Sequence, residues 1–179
     1  MVLREKQISP EEFDQFIRLP ENVGRNFELI AGEIVEKMVS SPGASAIGAF
    51  IAGLLAVHVR QHDLGRVTGA DGGYVVGDEK YMPDAAYISK ARQPVQPTDA
   101  YNPLAPDLAI EGLSPSNDDD EMRIKIANYV AAGTVVWVFD PDRRRIEKYK
   151  GLQPPVVLDE NGILEDDGFK VAVKDIFKD

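Results

Sequence analysis

The chain has 179 residues, of which 44% are hydrophobic and 28% are charged, so we expect one folded domain over residues 1–179 rather than a largely disordered chain. Its formal net charge of −10 excludes nucleic-acid binding through a positively charged surface as a whole. A local basic strip or a bound cation could still attract nucleic acid. The absence of cysteine excludes disulfides, zinc–thiolate sites and cysteine nucleophiles, so any metal site would hold a hard cation through oxygen ligands.

The first half of the chain predicts two helices and a β-hairpin. Ser9, Pro10 and Glu12 form a helix start in which serine is the N-cap, proline is the first helical residue and the glutamate closes a capping box. A two-residue Ala-Gly connection between two apolar runs is typical of a hairpin. The predicted elements are a helix over residues 9–18, hairpin strands over 27–30 and 33–36, and a helix over 45–61.

The predicted helix over residues 45–61 has apolar residues on nearly all sides, so we expect it to be buried in the core, at a subunit contact, or in both. This helix is the basis for expecting a homodimer. The apolar run over residues 44–59 is shorter than the ~20 residues of a membrane-spanning helix, and residues 1–5 do not resemble a secretion signal. We therefore expect a cytoplasmic protein that does not enter a membrane.

The second half predicts strands around one helix. The acids that begin the helix suit its positive end, Gly133 is a C-cap candidate, and the fully apolar run that follows is typical of a strand covered on both faces. The class is therefore α/β (α+β mixed), a mixed β-sheet flanked by helices. The predicted elements are strands over 66–76, 82–89 and 107–113 with a proline-rich loop over 93–106, a helix over 117–132, strands over 135–139 and 145–149, and a C-terminal β meander over 156–177.

Two acids fall within the predicted strands. Alternation places Asp84 on a face with Ala86 and Glu111 on a face with Ala109, and an acid among apolar neighbours is costly unless it is paired or binds a cation. If the strands are neighbours with aligned faces, the two carboxylates could converge on Mg²⁺ or Mn²⁺. The alternatives are a turn-capping role for Asp84 and a partly exposed strand glutamate for Glu111. For Asp107 the turn-capping interpretation is favoured.

Lys125 lies at the edge of the apolar stripe of the helix that follows the Glu111 strand. It could reach a phosphate or position a water, or it could be a lysine whose stem covers the stripe while its ammonium stays in water. Glu28 in the hairpin is more readily interpreted as a solvated acid. His58 and His62 have a spacing that can bind zinc, but helix-surface histidines are favoured because no third ligand is near.

A basic strip over residues 143–150 is either a solvated turn or a contact to phosphates.

Several segments together resemble the Uma2 family, also called DUF820, and the resemblance follows nearly the whole chain in order. It implies a restriction-endonuclease-like core of the PD-(D/E)XK superfamily, with αβββαβ order and a metal-dependent phosphodiesterase site. The segments are FELIAGE at 27–33, PDAAYI at 83–88, PDLAIEGLSPS at 106–116, KIANY at 125–129, and Gly133 followed by WVFDP at 137–141.

The resemblance also implies roles for individual residues. Asp84 would be the aspartate at the strand bend, Glu111 the acid of the (D/E)XK strand, and Glu28 an additional N-terminal acid. Residue 113 is leucine where the usual triplet has lysine, so the lysine would be Lys125 on the following helix. The chain departs from the family's pattern at residues 40–44, where relatives often carry histidine, and at Gly112, where they usually carry valine.

These observations predict a Mg²⁺- or Mn²⁺-dependent nuclease that acts on nucleic acid, with DNA favoured. Asp84 and Glu111 would hold the cation, which polarises the scissile phosphate and activates water, while Lys125 stabilises developing negative charge. The alternative is a homodimeric binding module that keeps the nuclease fold without turnover, favoured mildly by Gly112 and the net acidity. A third hypothesis is a phosphohydrolase of small nucleotides.

Overall fold

The structure, a computed structural model, describes residues 7–113 and 119–178 and contains thirteen strands and four α-helices in that part of the chain. The predicted helix start at residue 117, the segment 114–116 and residues 1–5 lie outside the described residues. A short 3₁₀ helix, Pro20–Asn22, follows the first helix. In chain order the elements are α1 (Pro10–Phe16), β1 (Phe27–Ile30), β2 (Glu33–Glu36), α2 (Pro42–Gln61), β3 (Gly65–Thr68), β4 (Gly73–Val76), β5 (Glu79–Tyr81), β6 (Ala85–Ser89), β7 (Tyr101–Asn102), β8 (Leu108–Gly112), α3 (Asp119–Ala131), β9 (Val135–Asp140), β10 (Arg145–Tyr149), β11 (Val156–Leu158), β12 (Ile163–Asp166), β13 (Phe169–Ala172) and α4 (Val173–Ile176).

Two mixed sheets organise the molecule. The larger has the order β11-β10-β9-β8-β6-β3, in which only the β8–β9 pair is parallel. The smaller has the order β2-β1-β5-β4-β7, and β12 with β13 forms a separate hairpin. Helix α2 packs on one face of the larger sheet with Ile110 and Trp137, and α3 covers the other face with Ala109 and Val136. The predicted mixed α/β class is confirmed.

The N-terminal elements follow their local signals. Ser9 accepts the Glu12 N–H at 3.2 Å and donates its own N–H to the Glu12 carboxylate at 2.9 Å, which is the predicted capping box. Ala31 and Gly32 both have positive φ, 53° and 78°, as a tight two-residue hairpin turn requires. Further along, Gly133 with φ of 78° ends α3 as predicted.

One predicted strand is divided in the structure, and another begins later than predicted. The stretch 66–76 becomes β3 and β4, which belong to different sheets because Gly69 and Gly72 turn the chain between them. The strand predicted over 82–89 begins only at residue 85, after a break over residues 82–84 that follows β5, because Pro83 cannot donate a ladder hydrogen bond. Each break moves the chain from one sheet to the other, and the second one sets Asp84 at the bend between β5 and β6.

The predicted meander over residues 156–177 is wrong in detail. Strand β11 joins the edge of the larger sheet, β12 and β13 form their own hairpin, and the chain ends in the short helix α4. Val173 and Ile176 of α4 are buried in the same cluster as Leu55, which explains why the segment leaves the extended conformation. The proline-rich loop over 93–106 also contains the two-residue strand β7.

Helix α2 is longer than expected, because Ser41 accepts the Ala44 N–H at 3.2 Å and starts the helix at Pro42. Among the described residues it is the one helix long and apolar enough, at 20 residues, to cross a membrane, so the argument from a short apolar run was wrong. Such a helix is weak evidence for a membrane span, since Leu55 and Val59 pack it into the protein core. Its outer face is exposed rather than buried within the chain.

Candidate active site

Asp84 and Glu111 meet because β6 and β8 are antiparallel neighbours. Ala85 is paired with Ile110 and Ala86 with Ala109, so one more step in this register brings Asp84 opposite Glu111. Ala86 and Ala109 share the hydrophobic cluster beneath α3, and Glu111 faces the same side, where it accepts the Tyr129 hydroxyl. Asp84 lies at the bend before β6, and a Cβ built at Gly48 of α2 would lie 3.7 Å from Asp84 Cβ, so strand alternation does not fix the face of Asp84. The prediction that the two strands are neighbours is confirmed.

Lys125 joins two buried carboxylates. Its Nζ lies 2.9 Å from Glu111 Oε1, and 3.0 and 3.3 Å from the two oxygens of Glu28. Only 7% of the Lys125 side chain is exposed, so the interpretation as a lysine with its ammonium in water is wrong. Glu28 is also buried, which overturns its interpretation as a solvated hairpin acid. Tyr129 completes the group by donating its hydroxyl to Glu111 Oε1 at 3.2 Å.

Burial and the close charges shift the pKa values of Glu111, Lys125 and Tyr129. It raises the pKa of Glu111 to about 7, because the desolvation of the carboxylate outweighs the attraction of Lys125. Burial alone would lower the pKa of Lys125, but the Glu111 and Glu28 carboxylates outweigh that effect and raise it above its usual value. Burial also raises the pKa of Tyr129 well above its usual value. Lys125 is therefore a permanent cation, and Tyr129 is a permanent hydroxyl donor.

A second lysine, Lys37, lies at the other end of the group. Its Nζ donates to the Met82 carbonyl at 2.6 Å and to Asp84 Oδ1 at 3.1 Å, while Asp84 Oδ2 accepts the Gly112 N–H at 2.8 Å. Lys37 was not among the predicted site residues. The available signal was that Lys37 directly follows the predicted hairpin strand 33–36, and in the structure its N–H bonds to the Asn26 carbonyl and continues the ladder that carries Glu28.

One cleft of about 140 Å³ lies between the hairpin, the β8 end and α3, and it is lined by the charged side chains of this group. The charged side chains of the cleft are five acids and two lysines, so the cleft is an acidic site that attracts a cation. They are Glu28, Glu36, Asp84, Glu111, Glu121, Lys37 and Lys125.

Residues 13–174 match the family Uma2, described as "Putative restriction endonuclease". The chain belongs to the Uma2 family. No curated protein matches it. Among solved structures, the crystal structure of a "putative nuclease belonging to DUF820 from Anabaena variabilis ATCC 29413", at 1.96 Å resolution, is similar over 95% of this chain and 97% of that one, with a TM-score of 0.83 and 24% identity. At that identity the similarity shows a shared fold, and it confirms the predicted fold.

The donor set of this Uma2 chain suits a hard divalent cation. Asp84 and Glu111 provide carboxylate oxygens, and Mg²⁺ is commonly held by one or two carboxylates while it keeps several waters. Within residues 7–113 and 119–178, however, no three acidic or histidine side chains are grouped as metal ligands. The ammonium groups of Lys37 and Lys125 occupy the space between the carboxylates instead.

Gly112 has a local structural reason in this Uma2 chain. A Cβ at this position would lie 2.3 Å from Cζ of Phe139 and 3.0 Å from Asp84 Oδ2. The buried Phe139 ring fills the space that a valine would take, so the departure at Gly112 reflects packing against Phe139. This departure therefore no longer favours a protein without turnover.

The remaining candidates lie outside the cleft. Asp107 accepts the N–H of Ser89, the last residue of β6, at 2.7 Å and pairs with Arg92 at 3.0 Å, so its carboxylate has a structural role between strands rather than in a turn at Pro106. The rings of His58 and His62 lie 4.5 Å apart, and no metal-binding group of three occurs in the described part of the chain. The basic strip is held by acids: Arg143 and Arg145 by Asp140, Arg144 by Glu160, and Lys148 and Lys150 by Asp166.

Proposed function

We propose that this Uma2 protein is a nuclease that hydrolyses phosphodiester bonds with Mg²⁺ or Mn²⁺. The observation that carries the proposal is the convergence of Asp84, Glu111 and Lys125 in one acidic cleft, as the family resemblance requires. A carboxylate whose pKa is raised within a cleft is a candidate for a functional residue.

Each residue of the cleft has a separate role in the proposed reaction. Asp84 and Glu111 would hold the cation, and the Gly112 N–H fixes the orientation of the Asp84 carboxylate. A bound Mg²⁺ would polarise the scissile phosphate and lower the pKa of the attacking water. Lys125 supplies a fixed positive charge toward the negative charge that develops on the phosphate. Glu28 holds the Lys125 ammonium in position as a positioning residue.

Nucleic acid, with DNA favoured, is the substrate that we propose. The excess of acids in the cleft means that the bound cation provides the local positive charge for the phosphate. Arg143 and Arg145 lie near the same end of the sheet, because Asp140 follows Phe139, the register partner of Gly112. To contact the nucleic-acid backbone, their guanidinium groups would exchange Asp140 for phosphates beside the cleft.

A small phosphodiester is the second candidate substrate. The specific observation that favours it is the cleft itself, which measures about 140 Å³ and carries more acids than bases. A nucleotide-sized substrate needs no long positive groove, whereas a DNA duplex does. The two substrates can be separated by giving the same protein both of them.

The test is to incubate supercoiled plasmid, single-stranded DNA and bis(p-nitrophenyl) phosphate with the protein and Mg²⁺, Mn²⁺ or EDTA. We expect metal-dependent cleavage by the wild type and loss of at least about 10²-fold in Asp84→Asn, because the cation loses a ligand. Asp63→Asn, which changes an exposed acid outside the cleft, is the matched control. Equal cleavage by all three proteins would identify a contaminant, and metal-independent DNA binding without cleavage would support the binding module.

We also propose that the protein is a cytoplasmic homodimer that pairs through the outer face of α2. This face carries Ala46, Ala49, Phe50, Gly53 and Val57, which recur at helical spacing and are exposed. A second copy of the same face would cover the apolar side chains, and the small residues allow the two helices to approach closely. Sedimentation should give a dimer for the wild type and a monomer for Ala49→Glu, and a monomeric wild type would reject the pairing.

A further inference from the structure

Two oxygens in the cleft already converge on one cation, the ammonium of Lys37. Asp84 Oδ1 lies 3.1 Å and the Met82 carbonyl oxygen 2.6 Å from Lys37 Nζ. The other Asp84 oxygen is held by the Gly112 N–H, so Oδ1 is directed at the ammonium. A carboxylate and a backbone carbonyl are both hard oxygen donors of the kind that Mg²⁺ and Mn²⁺ accept.

We propose that Lys37 is an exchangeable counterion, whose ammonium holds the cation position between Asp84 and the Met82 carbonyl until a divalent cation replaces it. This inference rests on the proposed function, since it concerns the same metal site. It assigns a role to Lys37 and adds the Met82 carbonyl as an oxygen ligand beside Asp84.

Lys37 can leave its position at little cost. Its side chain is 18% exposed and its partner Asp84 is 20% exposed, so the ammonium can turn into water on a flexible stem. Its ammonium contacts one carboxylate oxygen and one carbonyl oxygen. A divalent cation that replaced the ammonium would bind the same two oxygens, so neither would lose its partner. No buried charge is left without a partner when the exchange occurs.

Lys125 is not exchangeable in this way. Its ammonium bonds two buried carboxylates and lies 5.5 Å from the centre of the Tyr81 ring, which attracts the cation. Withdrawal of Lys125 would leave Glu28 and Glu111 facing each other in a buried site, where like charges repel strongly. The two lysines of the cleft therefore have different functions, one permanent and one exchangeable.

The first test is isothermal titration of MnCl₂ into wild type, Lys37→Met and Lys90→Met. Removal of the competing ammonium should tighten Mn²⁺ binding by at least about threefold in Lys37→Met. Lys90 pairs with Asp63 on the surface and is the matched control, so its variant should bind Mn²⁺ as the wild type does. Unchanged or weaker binding by Lys37→Met would overturn the inference.

The second test follows Lys37 in the unaltered protein. Lysine acetylation by a small reagent, read by mass spectrometry with and without Mn²⁺, should show Lys37 becoming at least about twofold more reactive when Mn²⁺ is present. Lys125 should stay protected in both conditions. Equal labelling of Lys37 in both conditions would contradict the exchange, because an ammonium that stays on Asp84 gains no accessibility.

The outcomes separate this inference from the function on which it rests. If neither wild type nor Lys37→Met takes up Mn²⁺, the proposed metal site fails and the inference fails with it. If both proteins bind Mn²⁺ equally and Asp84→Asn does not, the metal site stands and the exchange at Lys37 alone is rejected.

Discussion

Each end of the cleft neutralises its carboxylates with a lysine, but the two lysines differ in how deeply they are buried. At the inner end, Lys125 is locked between the buried carboxylates of Glu28 and Glu111. At the outer end, Lys37 makes one ion pair with Asp84, and both side chains contact water. The desolvation of an ion grows with burial, so the inner pairing is costly to break and the outer one is not.

This difference indicates how one cleft can be rigid and still accept a cation. The inner end keeps its geometry because a lost partner would leave a buried charge alone. The outer end has partners that water or a metal can replace. The following predictions test the difference between the two ends, from the largest expected effect to the smallest.

Removal of the inner lysine should have the largest effect on stability. Lys125→Met leaves Glu28 and Glu111 buried without a cation, and we expect a loss of about 3–5 kcal/mol in the free energy of unfolding. Urea denaturation measures the loss. The double variant Glu28→Gln with Lys125→Met should recover part of it, and a single variant as stable as wild type would contradict a buried, charged inner end.

The pH dependence of stability should report Glu111. The folded pKa of Glu111 is raised from 4.5 to about 7, so the folded protein binds more protons than the unfolded chain between those values. The contribution of Glu111 to the free energy of unfolding is therefore fully present at low pH. It falls by up to about 3 kcal/mol as the pH rises from 4.5 to about 7.

Glu111→Gln should remove this slope, measured by urea denaturation across the pH range. Glu165→Gln on the exposed edge of β12 is the control and should keep the wild-type slope. An unchanged slope in Glu111→Gln would show that the inner carboxylate does not titrate in this range.

Gly112 supports the outer end through its N–H bond to Asp84. Gly112→Val should destabilise the protein by about 1–3 kcal/mol, because the new side chain meets the Phe139 ring. Gly43→Ala, at an exposed glycine in the first turn of α2 with open space around its Cβ position, should instead leave the stability unchanged or raise it by up to about 0.5–1 kcal/mol. Thermal melts of both variants test the contrast, and a neutral Gly112→Val would show that Phe139 can move.

Removal of the outer lysine should have the smallest effect. Lys37→Met should change the free energy of unfolding by no more than about 1 kcal/mol, because the Lys37–Asp84 ion pair is in contact with water and such pairs contribute little. The same urea denaturation that measures Lys125→Met gives this value. A loss as large as that of Lys125→Met would remove the distinction between the two ends.

The convergence of Asp84 with Glu111 could be predicted because it depends on local signals. Alternation places Glu111 on one face of β8, and the antiparallel pairing of β6 with β8 brings the bend that carries Asp84 next to it. The burial of Glu28 could not be predicted in the same way. It depends on β1 pairing with β5 of the smaller sheet, and the Met82 N–H then reaches the Glu28 carboxylate at 2.6 Å.

The division of the predicted strand over residues 66–76 was also difficult to predict from the sequence. The apolar residues of the stretch 66–76 continue across Gly69 and Gly72, and periodicity alone does not reveal that the two halves enter different sheets. The glycines were the available sign of a turn. The direction of the Lys125 ammonium was also undecidable from the helical wheel, because it is set by carboxylates from two other elements.

Lys125 and Glu28 are separated by 97 positions along the chain, and Lys37 and Asp84 by 47. A nascent polypeptide that has not yet extended past residue 125 therefore holds its acids without their inner cation, and contacts of such long range form late in folding. The cleft is completed only once the chain extends past residue 125 and its two parts have docked. A fragment that ends before residue 125 would lack the inner cation, so its buried acids would have no partner.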